Sequence, residues 1–182
     1  MVLVTGKAGI GKTTLVDAFV SQIAATDFLW LGRGQCIEQY GAGEVYLPLL
    51  EVVGQLGRAP DRARLVALLR HQAPSWLLHL PALVPATELD ALQQRSSGTT
   101  RECMLRELAE TVETLSADRP LVLVLEDLHW SDGATLEWLV YVARRRAAVR
   151  LLVLGTYRPV EAAVRAHPVR TVVQELQMHN DA

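Results

Sequence analysis

Cysteine is scarce in this sequence, which contains only Cys36 and Cys103 among 182 residues. The two are far apart and no secretory signal precedes the first predicted strand, so the sequence favours a reducing, cytoplasmic setting over a disulfide scaffold. Long apolar runs are also missing, because none approaches the roughly 18 uninterrupted residues that a membrane-spanning helix requires. We therefore expect a protein that makes no contact with a membrane.

Neither sign of charge dominates, since 18 lysine and arginine residues face 20 aspartate and glutamate residues and the net charge is -2. A chain so close to neutral has no general attraction for nucleic acid, and no local basic patch is evident. Hydrophobic residues make up 50% of the chain, which excludes a disordered or fibrous protein. The length predicts one domain, residues 1–182, with a substantial core.

The most informative stretch is the N-terminal one. Four β-favouring residues, Val2–Thr5, run directly into a segment that fits G-x-x-x-x-G-K-S/T at every specified position. Residues with little or no side chain let several backbone N–H groups surround a phosphate, and the following helix points its positive dipole end at the same group. The sequence thus predicts a phosphate-binding loop consisting of Gly6, Lys7, Ala8, Gly9, Ile10, Gly11, Lys12, Thr13 and Thr14.

Two side chains of this loop carry predicted roles. Lys12 is placed to reach the β- and γ-phosphates of a nucleotide, and the Thr13 hydroxyl can ligate the accompanying Mg²⁺. The alternative is a glycine-rich turn that matches by chance, but the flanking strand and helix provide the context that the motif requires.

A second signature follows the predicted strand Leu121–Leu125. Five consecutive apolar residues are typical of a strand that is buried on both faces of a parallel sheet, and this one ends at Glu126 and Asp127. In a chain with a phosphate loop, two such acids match those of nucleotide hydrolases, where one carboxylate holds Mg²⁺ and the other orients the attacking water. The alternative is that both acids only cap the next element.

Two further polar residues lie near the same edge of the predicted sheet. Arg158 follows the strand predicted over residues 150–156 and is positioned to contact the γ-phosphate and stabilise the transferring charge, unless it is an ordinary surface arginine. His129 is either a sensor of the γ-phosphate or a hydrogen-bonded structural histidine.

The stretch between residues 37 and 98 has a different pattern. Prolines punctuate leucine-rich pieces of helical period, such as Leu47–Leu56 and Arg62–Leu69, which predicts a helical insert packed on the core. An apolar cluster between Trp76 and Leu83 suits a partner-binding surface or the core, and the core is the commoner place for such residues.

The remaining elements complete an α/β prediction. One apolar face of the helix over Lys12–Ala25 is expected against the sheet, formed by Leu15, Val16, Phe19, Val20 and Ile23. The run Phe28–Gly32 predicts the second strand, which ends at residues 33–36 near the expected nucleotide edge. Together these elements predict three layers around a mostly parallel sheet of about four strands, the first of them an unpaired edge.

These motifs together resemble those of the signal-transducing class of AAA-related ATPases, the STAND ATPases. The resemblance rests on the phosphate loop, Leu121–Asp132 and Leu154–Pro159. Residues Gly41–Pro48 also resemble a segment of the family. More closely, the chain resembles the ATPase modules of large bacterial regulators that carry a cyclase, a LuxR-type or a winged-helix output domain. The similarity covers nearly all of the chain.

The resemblance implies ATP or ADP as the ligand and a role for each motif. Gly6–Thr14 would hold the triphosphate, Thr13 and Glu126 would bind Mg²⁺, Asp127 would polarise water and Arg158 would read the γ-phosphate. Relatives usually have a segment before the first strand, and a fifth strand and a helical lid after the fourth. We therefore expect a fragment of a longer regulator, whose sensor and output domains lie in the same full-length chain.

Three functions fit these observations. The favoured one is a switch that binds ATP, hydrolyses it slowly and relays its nucleotide state to other domains. A non-catalytic interaction module that uses the leucine-rich insert and leaves its phosphate loop idle is the first alternative. A small-molecule kinase is less favoured, because Glu126 and Asp127 suit water and no second substrate site is visible.

Overall fold

Four parallel strands form one sheet in the computed structural model, which describes residues 1–25, 28–38, 44–145 and 149–180. They are β1 (Val2–Thr5), β2 (Trp30–Gln35), β3 (Leu121–Glu126) and β4 (Leu151–Tyr157), and their order across the sheet is β1-β4-β3-β2. Because all four run the same way, their carboxyl ends meet at one edge. That edge carries the phosphate loop and both other motifs.

Nine α-helices are found within the described ranges. They are α1 (Lys12–Ala24), α2 (Leu47–Leu56), α3 (Arg62–Gln72), α4 (Pro74–Leu78), α5 (Ala86–Arg95), α6 (Arg101–Asp118), α7 (Gly133–Arg144), α8 (Pro159–Val164) and α9 (Val169–Asn180). Short 3₁₀ turns occupy Pro81–Leu83 and Leu128–Trp130. None of the described helices has both the length and the hydropathy that a bilayer span needs.

The helices cover the two faces of the sheet unequally. α1 covers one face, where Val16 packs with Val122, Val124 and Leu154. The larger core lies on the other face, where α2, α3, α6 and α7 pack against Leu123 and its neighbours in β3. This arrangement confirms the predicted three-layer α/β fold, and β1 is the predicted edge strand because only β4 pairs with it in the described structure.

Two predictions were wrong in detail, one about the core and one about the start of β2. Leu15 is 61% exposed, because Val16, Val20 and Ile23 form the stripe that faces the sheet and Leu15 lies about 100° around the helix from Val16. Phe28 is 62% exposed and precedes β2. β2 begins only at Trp30, whose N–H donates to the carbonyl oxygen of Pro120 at the start of the pairing with β3.

The segment from Leu47 to Arg95 is helical, as predicted. α2 has the predicted bounds and α3 extends three residues beyond the predicted end, to Gln72. Trp76 and Leu77 are fully buried, and the Trp76 indole donates to the Met104 carbonyl oxygen at 2.8 Å. The core interpretation of this apolar cluster is therefore confirmed. In the segment Gly41–Pro48, residues 41–43 lie outside the described part of the chain.

Gly34 allows the closest approach between the sheet and a helix. A Cβ atom built on Gly34 would lie 2.0 Å from the carbonyl oxygen of Pro48 and 2.8 Å from its carbonyl carbon. Both atoms belong to the backbone of α2, so no side-chain rotation can relieve the overlap. We expect Gly34→Ala to lower the free energy of unfolding by at least about 2 kcal/mol, as measured by urea denaturation.

Gly54 provides the matched control because it is a glycine of α2 with open surroundings. Its added Cβ would meet only Leu80 Cδ2, at an ordinary 3.7 Å. Gly54→Ala should leave stability unchanged or raise it by up to about 1 kcal/mol, since alanine is the better helix former. Equal stability of the Gly34→Ala and Gly54→Ala variants would contradict the close packing of α2 on β2.

Candidate functional site

The phosphate loop connects β1 to α1 and has the backbone shape that its glycines allow. Gly9 and Gly11 have φ angles of 72° and 96°, in the left-handed region that favours glycine. Gly11 also precedes the first turn of α1, where the described residues provide no side-chain cap and no acidic side chain. The N–H groups of this turn are thus left to an anion.

Lys12 curls back over the loop. Its Nζ donates to the carbonyl oxygens of Gly6, at 3.1 Å, and Lys7, at 3.0 Å. Next to the loop lies a cavity of about 350 Å³, which Gly6, Lys7 and Ala8 line on one side. On the other side it is lined by residues 158–161, so the loop and Arg158 face the same space.

Thr13 and Glu126 are in direct contact, although 113 positions separate them in the chain. The Thr13 hydroxyl donates to Glu126 Oε2 at 3.0 Å, and Glu126 is only 5% exposed at the end of β3. Hydroxyl and carboxylate oxygens are ligands that Mg²⁺ prefers, and neighbouring ligands on an octahedral ion with bonds of about 2.1 Å lie about 3 Å apart. The spacing and the chemistry of this pair fit a magnesium ion.

Arg33 is the partner of Glu126 for which the sequence analysis gave no role. Its Nε donates to Glu126 Oε1 at 2.5 Å and its Nη1 donates to Asp17 Oδ1 of α1 at 2.7 Å, while Nη2 also contacts Oε1. Burial lowers the pKa of the guanidinium, but the two hydrogen-bonded carboxylates outweigh that effect and raise the pKa above its ordinary value. The feature of the sequence that could have suggested a role for Arg33 is its position near the end of β2.

Asp127 has different side-chain partners from Glu126, the acid that precedes it. Its backbone has φ of 54° and ψ of 47°, a left-handed conformation that is uncommon for a residue other than glycine, and its N–H donates to Thr156 Oγ1 at 3.0 Å. Its carboxylate accepts a hydrogen bond from Gln35 Nε2 at 3.1 Å and lies 3.7 Å from Arg158 Nε. This turn directs the two adjacent acids into different parts of the site.

Arg158 joins a second charged cluster that includes Glu161, a residue the sequence analysis missed. Arg158 Nη1 donates to both carboxylate oxygens of Glu161, at 2.9 and 3.2 Å, and this contact lowers the Glu161 pKa. The ring of His129 is fully buried beside the cluster, with Nε2 3.0 Å from Glu161 Oε2 and Nδ1 3.9 Å from Asp127 Oδ1. Burial lowers the pKa of His129 despite these neighbouring acids.

The structure therefore brings the predicted site residues into two adjoining groups. Lys12, Thr13 and Glu126 form the first, and Asp127 and Arg158 form the second, with the cavity linking Arg158 to the loop. Ile10 and Thr14, two other residues of the loop, have exposed side chains.

A family model described as the AAA ATPase domain matches residues 1–154. The chain belongs to this family. The match includes the phosphate loop, Arg33 and the acids that end β3, and it stops inside β4 before Arg158. Membership agrees with the observed fold and makes this AAA ATPase domain a nucleotide-binding module of a family that typically uses Mg²⁺. No curated protein and no solved structure gives a significant match to the chain.

Proposed function

We propose that this AAA ATPase domain is a nucleotide switch in a signal-transduction or transcription regulator. It binds ATP with Mg²⁺, hydrolyses it slowly and relays its nucleotide state to sensor and output domains of the same full-length chain. The observation that carries the proposal is the contact between Thr13 and Glu126, which joins the phosphate loop to the acid of β3. A loop retained only for packing would not need a buried carboxylate at that hydroxyl.

The geometry supports a division of labour between the two acids. Glu126 is buried beside Thr13 and holds Mg²⁺ with it, whereas Asp127 is more exposed and faces Arg158. Asp127 orients the attacking water, and Arg158 contacts the γ-phosphate from the shared cavity. Gly6–Thr14 enclose the phosphates with backbone N–H groups and the Lys12 ammonium.

The reaction needs no covalent intermediate with the protein. The water oxygen bonds to the γ-phosphorus as the bond to the β,γ-bridging oxygen breaks, which yields ADP and inorganic phosphate. Asp127 accepts a hydrogen bond from the water, and Lys12 and Arg158 stabilise the charge on the transferring group. Bound Mg²⁺ supplies further charge neutralisation on the phosphate oxygens.

The second cluster supports a mechanism by which Arg158 senses the γ-phosphate. Arg158 is bound to Glu161, the third residue of α8. A γ-phosphate competes with Glu161 for the guanidinium, and the release of Glu161 changes the contacts of α8 and of His129. Nucleotide state is thereby converted into a local rearrangement outside the phosphate loop.

Arg158 is expected to discriminate ATP from ADP. Arg158→Ala should weaken binding of a non-hydrolysable ATP analogue by about 10- to 100-fold, the value of a charge-assisted hydrogen bond, and ADP binding by less than about threefold. Titration calorimetry with both nucleotides measures the ratio. Arg150→Ala, at the opposite end of β4, is the control and should leave both affinities unchanged. An unchanged ratio in Arg158→Ala would refute this role.

Phosphate release in the absence of any added acceptor tests the proposed function as a whole. We expect slow release of inorganic phosphate from ATP that requires both Mg²⁺ and Lys12. ATP consumption that occurs only with a small-molecule acceptor would favour the kinase instead. Failure of both the wild type and Lys12→Ala to bind ATP would favour an interaction module with an idle loop.

A further inference from the structure

Arg33 bridges two carboxylates, one at the end of β3 and the other in α1. Nε and Nη2 of its guanidinium contact Glu126 Oε1 at the end of β3, and Nη1 donates to Asp17 Oδ1 in α1. The Glu126 side chain is 7% exposed and that of Asp17 is 50% exposed. The two ends of the bridge therefore differ strongly in their access to water.

Both oxygens of Glu126 are already engaged. Oε2 accepts the hydrogen bond from Thr13 and Oε1 accepts that from Arg33. A divalent cation held by Thr13 and Glu126 would lie close to the guanidinium, because one carboxylate is shared between them. Like charges repel strongly at such short range in a partly buried site, so full contact of both cations with Glu126 is unfavourable.

We propose that Arg33 is a built-in counter-ion that competes with Mg²⁺ for Glu126, and that Asp17 receives the guanidinium when Mg²⁺ binds. The inference rests on the proposed role of Glu126 as a magnesium ligand. Arg33 neutralises a buried carboxylate that would be costly to leave unpaired. Asp17 is exposed and already hydrogen-bonded to the same guanidinium, so the exchange needs only a small side-chain movement.

The exchange makes Arg33 and Asp17 positioning residues that set the Mg²⁺ concentration at which the site fills. Removing Arg33, the competitor, should lower this Mg²⁺ concentration. Removing Asp17, the alternative acceptor, should raise it. A salt bridge that only stabilises the fold would not produce this opposition. The sign of the two effects is therefore the decisive readout, and it does not depend on the rate of hydrolysis.

The experiment measures the free Mg²⁺ concentration that gives half-maximal binding of a fluorescent, non-hydrolysable ATP analogue. We expect Arg33→Gln to lower this concentration about tenfold, the effect of losing one competing charge pair, and Asp17→Asn to raise it several-fold. Arg33→Lys keeps the charge, so its half-maximal Mg²⁺ concentration should be closer to that of the wild type. Arg119→Gln is the control, because the Arg119–Asp61 pair lies at the other end of β3, and it should show no shift.

Thermal unfolding provides a second readout, which also shows whether each variant folds. Arg33→Gln should unfold at a lower temperature than the wild type in EDTA and should gain more from Mg²⁺ with the nucleotide analogue, since the ion replaces the lost counter-ion. If Arg33→Gln does not fold, the exposed Asp17→Asn change still decides the question, and a lowered or unchanged Mg²⁺ requirement there would overturn the inference.

The outcomes separate this inference from the proposed function. Nucleotide binding by the wild type that does not respond to Mg²⁺ would overturn the magnesium role of Glu126 and the inference with it. Normal Mg²⁺ dependence in the wild type, with the same half-saturation in Arg33→Gln and Asp17→Asn, would overturn the inference alone. Shifts of both variants in the same direction would also overturn it.

Discussion

Lys12→Ala is expected to reduce ATP affinity by about 100-fold or more. The Lys12 ammonium is held at the mouth of the phosphate loop by the carbonyl oxygens of Gly6 and Lys7, where it can pair with phosphate oxygens at little cost in side-chain order. Each charge-assisted hydrogen bond contributes about 1.5–3 kcal/mol, and we propose that Lys12 pairs with two phosphates. Titration calorimetry with ATP and saturating Mg²⁺ measures the loss.

Lys7 gives a matched comparison within the same loop. Its side chain is exposed, and its carbonyl oxygen is what contacts Lys12. Lys7→Ala should therefore lose far less affinity than Lys12→Ala. Both variants should unfold within about 0.5 kcal/mol of the wild type, since neither side chain is buried in the core. Similar ATP affinities for Lys12→Ala and the wild type would place the nucleotide somewhere other than this loop.

Asp127→Asn is expected to slow ATP hydrolysis by about 100-fold or more while leaving ATP binding nearly unchanged. A positioned carboxylate that acts on the attacking water contributes about 10²- to 10⁴-fold, and the amide lacks its basicity. Asparagine keeps the size of aspartate and tolerates the left-handed backbone that the structure has at this position. The change thus removes the chemistry without disturbing the turn.

Two measurements distinguish the possible effects of Asp127→Asn. Single-turnover phosphate release reports the chemical step, and titration with a non-hydrolysable analogue reports binding. Hydrolysis within a few-fold of the wild type would remove Asp127 from its proposed role. A parallel loss of binding would show instead that Asp127 acts on the fold or on the metal.

Much of the fold was predictable because its signals are local. The glycines, lysine and threonine of Gly6–Thr13 constrain a strand, a loop and a helix within a short stretch, and the apolar run before Glu126 marks a doubly buried strand. The two motifs had to meet once both were placed at the carboxyl edge of one parallel sheet. Their meeting at Thr13 and Glu126 is the contact that the structure provides.

The residues that the sequence did not reveal act through partners far away in the chain. Arg33 and Gln35 look like ordinary polar residues of a strand end until β2 is paired with β3, which places them beside Glu126 and Asp127. Glu161 resembles a helix-start acid, and only its contacts with Arg158 and His129 give it a place in the site.

The errors at Leu15 and Phe28 have the same origin. Apolar character predicted burial for Leu15 and a place in the second strand for Phe28, but both depend on which elements lie next to a residue. α1 faces the sheet through Val16, Val20 and Ile23, and β2 begins two residues later than its apolar run suggested. Periodicity identified the right elements but not their rotation or their first paired residue.

Labelling with an ATP-derived acyl phosphate, mapped by mass spectrometry, locates the bound nucleotide directly, because such a reagent transfers its tag to a lysine beside the bound phosphates. Lys7 and Lys12 are the only lysines in the sequence, and both lie in the loop. If ATP binds at this loop, the loop will carry a tag that excess ATP with Mg²⁺ suppresses. A loop that stays untagged, or a tag that ATP does not suppress, would contradict binding at this loop.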